Sequence, residues 1–268
     1  MRNLILTGMP RAGTTLACAL VDSLDDAVCL SEPDWQDAWP RETGDARAYA
    51  ARVHADFGRV RTLLAAGGDV MDRRGSGGEA VTNYFPRAAD GRRAPAYALQ
   101  AFRRPRLGAD FLLGMKHNAH YTCALGELSG GEGFDAIAIV RHPLATIRSW
   151  RSARNLPISQ GRLPAAERLW SELARLADVD DVLLRQVGIY RLFCERYLAL
   201  ADRVRVLRYE DMLLDPGTLA RLCGRGFVRD VALAPTPPVE DEETALILAR
   251  LREQCAIAGR LYPQLRDA

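Results

Sequence analysis

The sequence predicts an α/β fold, a phosphate-loop-type parallel sheet flanked by helices on both faces. Short apolar runs alternate along the chain with stretches of helical periodicity. The runs are continuously apolar rather than alternating, which is the signature of strands buried on both faces. The first run also leads directly into Gly8-Met9-Pro10-Arg11-Ala12-Gly13-Thr14-Thr15, a glycine-bracketed loop that opens a helix.

Taken in order, strands are expected at Asn3–Thr7, Ala27–Leu30, Phe111–Lys116, Phe134–Arg141 and Val204–Arg208. Helices are expected at Thr15–Leu24, Asp45–Ala66, Pro143–Arg154, Pro164–Leu176 and Asp181–Ala201, with a last amphipathic helix over Thr244–Leu261. Two segments break the alternation. Gly67–Ala96 is rich in Gly, Arg and Pro and carries Tyr84 and Phe85, while Leu233–Glu243 holds Pro235, Pro237 and Pro238. Both read as loops, and a long loop in a compact domain is often a lid or a binding loop. No repeat or internal boundary appears, so one domain over residues 1–268 is expected, with 67–96 as a substrate loop.

Composition narrows the function classes. The chain is 48% hydrophobic and 26% charged, as ordinary globular proteins are. A formal net charge of +2 gives no support to nucleic-acid binding. No apolar run reaches membrane-spanning length, and the first strand begins within a few residues of Met1. The expectation is therefore no membrane span, no signal peptide and a cytoplasmic location. The six cysteines are scattered without C-x-x-C or metal-ligand spacing, so they read as reduced and mostly buried. Of 36 basic residues, every one except Lys116 is arginine. That fits a GC-rich, bacterial codon bias at sites where either cation serves, and it singles out Lys116.

The first loop has the frame of an NTPase phosphate loop, G-x-x-x-x-G-K-[ST], with Thr14 in the lysine slot. Backbone N–H groups at the following helix start still suit an anion, but the γ-phosphate grip is gone. The second signal is Ile137-Ala138-Ile139-Val140-Arg141-His142-Pro143, a strand ending in arginine with proline opening a helix. An ATPase strand there would end in an acidic magnesium ligand; Arg141 reverses the charge and expects an anion. Ser149 follows six residues beyond Pro143, about 9 Å along the helix axis. Arg141 and Ser149 together suit a phosphate across that helix start.

The G-x-P-R-x-G-T-T loop, the strand-R-x-P helix with serine eight residues after the arginine, and Arg208-Tyr209-Glu210-Asp211 resemble the sulfotransferases that use 3′-phosphoadenosine 5′-phosphosulfate (PAPS). The set is closest to the bacterial and protein-tyrosine members. The resemblance implies the sulfotransferase fold and transfer of a sulfuryl group to a hydroxyl of a small-molecule acceptor, without a metal, leaving PAP. It implies that Arg11, Ala12, Gly13, Thr14 and Thr15 hold the 5′ side, Arg141 and Ser149 the 3′-phosphate, and that Tyr209 lies near the nucleotide. It makes Arg11, Lys116 and Glu32 catalytic, with Lys116 on the sulfuryl group and bridging oxygen and Glu32 as base. A homodimer is compatible with this picture.

The base is the less determined part. Glu32 lies in Leu30-Ser31-Glu32-Pro33, where the bacterial and protein-tyrosine enzymes carry a catalytic glutamate. Cytosolic animal enzymes use the histidine of K-T-H, and that slot is Asn118 here, with His117 and His120 as reserves. Ala12 replaces the usual loop serine. The nucleotide-covering C-terminal segment has no clear counterpart; Arg221, Arg225 and Arg229 are the nearest basic residues. Trp35 and Trp39 suit an acceptor pocket or loop packing equally, and Trp150 and Trp170 read as core. Two other functions fit the first loop alone: an ATP-dependent phosphotransferase, against which Thr14 argues, and a non-catalytic nucleotide-binding relative, which would leave Lys116 and Glu32 dispensable.

Overall fold

In a computed structural model, residues 2–86, 95–154, 156–226 and 241–265 are described. The strands are β1 (Arg2–Gly8), β2 (Ala27–Ser31), β3 (Val70–Arg74), β4 (Ala98–Phe102), β5 (Leu112–Lys116), β6 (Phe134–Val140) and β7 (Val204–Arg208). Five of them form a sheet in the order β2-β5-β1-β6-β7, with every neighbouring pair parallel. Leu4, Ile5 and Leu6 of β1 and all of Leu112–Lys116 are buried, because helices flank the sheet. The predicted fold class is the one observed.

Connectivity creates the site. From central β1 the chain moves outward to β2, returns through β5 and then crosses to β6 on the other side of β1. Ligands in open α/β sheets bind outside the strand carboxyl ends at such a reversal. The register brings those ends level: Ser31 and Leu6 both pair with Lys116, Gly8 with Ile139, and Val140 with Arg208.

Several helices start on side-chain caps that the sequence supplies. Asp45 accepts from Ala48 N at 2.8 Å ahead of the helix Ala46–Ala65, and Asp181 accepts from Leu183 N at 2.7 Å ahead of Val182–Ala199. Asp241 does the same for Glu242–Gln254 through Thr244 N at 2.8 Å. Arg148 and Arg151 pair with Asp241 and Glu243, fastening that helix to Pro143–Ser152.

Three expectations change. Gly67–Ala96 is not loop throughout, because Val70–Arg74 forms β3, paired antiparallel with β4. Its residues do alternate, with Val70, Asp72 and Arg74 turned inward. Two of those three are charged, so no hydrophobic pattern marks them. The helix expected over Pro164–Leu176 breaks at Trp170, which is extended (φ −145°, ψ 103°) and lays its ring on Phe193 at 5.9 Å and under the Arg196 guanidinium at 3.7 Å. The last helix divides at Cys255 into Glu242–Gln254 and Ala258–Leu261. Most of the expected Leu233–Glu243 loop, all three of its prolines and Arg229 lie outside the described residues.

No helix among the described residues is long and apolar enough to cross a membrane. Among them, too, no group of three or more His, Cys, Asp and Glu side chains is arranged to hold a metal ion.

Buried charge secures the β2 edge. Asp22 accepts from Cys29 N and Asp72 from Ser31 N, both at 2.9 Å, satisfying alternate N–H groups that have no strand beyond them. Arg74, 1% exposed, binds Asp22 at 2.7 Å and Asp72 at 2.6 Å and stacks on Phe102 at 3.7 Å. The antiparallel pair β3–β4 thereby docks on β2, whose end leads into Glu32.

Candidate active site

A cavity of about 520 Å³ opens at the level strand ends. Arg11, Gly13, Thr14, Thr15, Glu32, Arg141 and Tyr209 line it, all of them candidates from the sequence. Ala12, Lys116 and Ser149 do not line it. Thr82, Asn83, Tyr84 and Phe85, from the segment expected as a substrate loop, also line the cavity, as does Asn118, to which sequence reasoning assigned no role. The aromatic pair Tyr84-Phe85 was the available signal for that wall.

The first loop is shaped by two close approaches. A Cβ on Gly8 would sit 2.5 Å from Ile139 O, so β1 and β6 stay in contact only with glycine there. Gly13 has φ +87°, and a Cβ on it would sit 2.3 Å from the Tyr209 ring. Gly13 caps the helix Thr14–Asp22, whose first N–H groups lack intrahelical acceptors and point toward the cavity end. Ala12 contributes differently: its N–H closes the turn onto Met9 O at 3.1 Å, and the residue is fully buried. Trp150 holds the loop from below through Nε1 to Pro10 O at 2.6 Å.

The cationic wall is cross-braced. Arg11, itself at φ +66°, donates from Nε to Ser149 Oγ at 3.3 Å, and Arg141 donates to Arg11 O at 3.4 Å. The Arg141 guanidinium lies 4.9 Å from the centre of the Tyr209 ring. Its carbonyl accepts from Tyr190 OH at 2.8 Å. Glu210 fixes the adjoining turn, accepting from His142 N at 2.9 Å and from Tyr262 OH at 2.8 Å. The quoted Arg208-Tyr209-Glu210-Asp211 run contained Glu210, but nothing in its spacing revealed a partner 68 residues away.

Glu32, at the cavity surface, forms an ion pair with a buried lysine. Lys116 Nζ donates to Glu32 Oε1 at 2.7 Å; the lysine side chain is wholly buried and the glutamate 23% exposed. Glu32 has φ +52°, uncommon for a non-glycine residue, and its N–H donates to Lys116 O at 2.7 Å. Burial pushes its carboxyl up. Lys116, His117 and Arg73 outweigh that and hold it below the usual carboxylate range.

The reserve histidines sit elsewhere. His117 and His120 stack on one another at 3.9 Å and do not line the cavity, whereas Asn118 between them does. Burial and His117 push the His120 imidazole down to about 2, leaving it neutral and a poor proton acceptor. Trp35 donates to Asp56 at 2.7 Å, and Trp39 is buried beneath Arg52, so both pack locally and neither lines the cavity. Arg221 and Arg225 pair with Asp215 and Asp26 and do not line it either.

No protein-family model and no curated protein sequence matches the chain. Solved structures do. A sulfotransferase from Alicyclobacillus acidocaldarius aligns over 97% of this chain and 95% of its own, at TM-score 0.50 and 15% identity. The sulfotransferase domain from the curacin biosynthetic pathway aligns over 94% of this chain and 97% of its own, at TM-score 0.40 and 13% identity. The chain has a sulfotransferase-like fold. At this identity the likeness is one of architecture alone.

Proposed function

We propose that the protein transfers a sulfuryl group from PAPS to a hydroxyl of a small-molecule acceptor. One observation carries the reading: the lysine-free loop, Arg141 and Glu32 line one cavity, and Glu32 binds the buried Lys116 behind it. A kinase would need a loop lysine and an acidic magnesium ligand, and Thr14 and Arg141 stand in those slots.

The donor set suits PAPS. The glycine-bracketed loop, Arg11 and the helix N-terminus offer fixed positive potential for a 5′-phosphosulfate. Arg141, with Ser149 held close through Arg11, offers the same for a 3′-phosphate. Tyr209, clamped between Gly13 and Arg141, gives the nucleotide a flat wall. When bound, PAPS supplies the sulfuryl group: a new bond joins the acceptor oxygen to sulfur, the bridging S–O bond breaks, and PAP leaves with that electron pair.

The chain's residues handle charge and the proton. Glu32, ionised at neutral pH, takes the acceptor hydroxyl proton onto its carboxylate. Held against Lys116 it is a weak base. If the ammonium turns toward an anion in the cavity, the carboxyl loses the strongest of the influences that lower it and becomes a better proton acceptor. Lys116 would then sit beside the developing charge on the leaving oxygen, where a compact ammonium is the better shape.

The test is PAP formation from PAPS with a panel of phenols, sugars and aliphatic alcohols, in EDTA, followed by mass spectrometry. Acceptor-dependent PAP and a sulfated product in equal amounts are expected. Phosphorylated product with ATP and magnesium, and none with PAPS, would establish the kinase reading instead.

A further inference from the structure

We infer that Tyr84 is a positioning residue that holds the Lys116–Glu32 pair in register. It stands outside the β2 and β5 strand ends, on the chain following β3, and touches both members of the pair's support. Its ring centre lies 5.0 Å from Lys116 Nζ. Its hydroxyl lies 3.0 Å from Ser31 O and 2.6 Å from Ser31 Oγ.

The ring acts on Lys116. A buried ammonium has three N–H donors and no acceptor, and one of them is taken by Glu32. An aromatic face attracts the charge without consuming a donor, so it confines Nζ while leaving hydrogens for a ligand. Removing it frees a long, flexible side chain to relocate. The ring is itself held against Tyr97 at 4.6 Å, so it is a fixed surface.

The hydroxyl acts on Glu32. Ser31 immediately precedes that residue, whose left-handed backbone persists only if its surroundings over-determine it. Ser31 N is bound by Asp72, Glu32 N by Lys116 O, and the Ser31 carbonyl by Tyr84 at 3.0 Å and, more distantly, by Arg73 at 3.5 Å. Burial and the Glu32 carboxylate both push the Tyr84 phenol up, so it stays protonated and able to donate. Ring and hydroxyl therefore fix the two partners separately. A residue that merely lined an acceptor pocket would need neither contact.

The sole lysine gives a direct readout. Protein grown on [ε-13C]lysine shows one lysine side-chain resonance, whose shift reports the ring current of Tyr84. We expect Tyr84→Leu to move that resonance and to let amine reagents reach Lys116, with Tyr84→Phe shifting it less. The kinetic half rests on the sulfuryl-transfer reading. There kcat should fall roughly 5- to 30-fold in Tyr84→Leu and roughly 2- to 10-fold in Tyr84→Phe, with KM for PAPS unchanged. A lysine resonance identical in all three proteins would overturn the proposal. So would unchanged kcat in both variants with only the acceptor KM raised. If the wild type transfers no sulfuryl group, that reading fails, and the lysine resonance alone decides the role of Tyr84. Should Tyr84→Leu not fold, the Tyr84→Phe resonance and kcat decide in the same way.

Discussion

Glu32 and Lys116 satisfy each other inside the sheet's carboxyl edge, and that pairing sets opposite consequences for stability and for chemistry. Removing Glu32 alone strands a buried ammonium, which costs about 3–5 kcal/mol. Replacing both partners with apolar residues of similar size, as in Glu32→Leu with Lys116→Met, is expected to restore most of that loss in urea denaturation while leaving no activity. Glu32→Gln keeps an oxygen for Lys116 but cannot accept the proton. Its kcat should drop about 10²- to 10⁴-fold with PAP affinity retained, and near-normal turnover would remove Glu32 from the role of base. The pH dependence follows from the same carboxyl. Its folded value is lowered, so its stabilising contribution is present above the unfolded value, about 4.3, and is lost as pH falls through the folded one. The thermal-stability advantage of wild type over Glu32→Gln should accordingly shrink below about pH 4.3 and stay level from there to neutrality.

In the loop Gly8–Thr15 and along the β2 edge, one atom decides the geometry. Gly13→Ala would drive a Cβ into the Tyr209 ring at a left-handed backbone position. It is expected to lower stability by at least ~1–2 kcal/mol and to abolish PAP binding by calorimetry, whereas unchanged binding would mean that this loop holds no ligand. Arg74→Met should destabilise by about 3–5 kcal/mol, since buried Asp72 would lose its cation and Asp22 would keep only the half-buried Arg104 at 2.9 Å. These elements also mark how far the sequence was legible. β1, β2, β5 and β6 announced themselves because burial on both faces makes their inner residues apolar, and the edge strand β7 did so through Val204, Val206 and Leu207. Strand β3 did not, since its inward residues are Asp72 and Arg74, legible only once Asp22 and the β2 N–H groups are in place. Trp170 misled the helical reading for a related reason: its ring is needed against Phe193 and Arg196, and an extended backbone delivers it there.

For the whole molecule, the order β2-β5-β1-β6-β7 is what turns distant motifs into one cavity. Arg11, Glu32, Arg141 and Tyr209 were legible singly because each follows a strand end. That Lys116 would lie behind Glu32 rather than on the cavity surface was not, since strand register and side-chain pairing are not written in local spacing. Thr82, Asn83, Tyr84 and Phe85 come from the segment expected as a substrate loop, but the β3–β4 pairing that brings them in from outside the main sheet was not legible. On the proposed reading, this cavity takes a 3′-phosphorylated adenosine donor without a metal. Thermal unfolding in EDTA with PAP, and separately with ATP and magnesium, tests it most directly. At 100 times its dissociation constant a ligand stabilises the native state by about 2.7 kcal/mol. The prediction is a clear upward shift with PAP in EDTA, lost in Arg141→Ala; a shift with ATP and magnesium but none with PAP would contradict it.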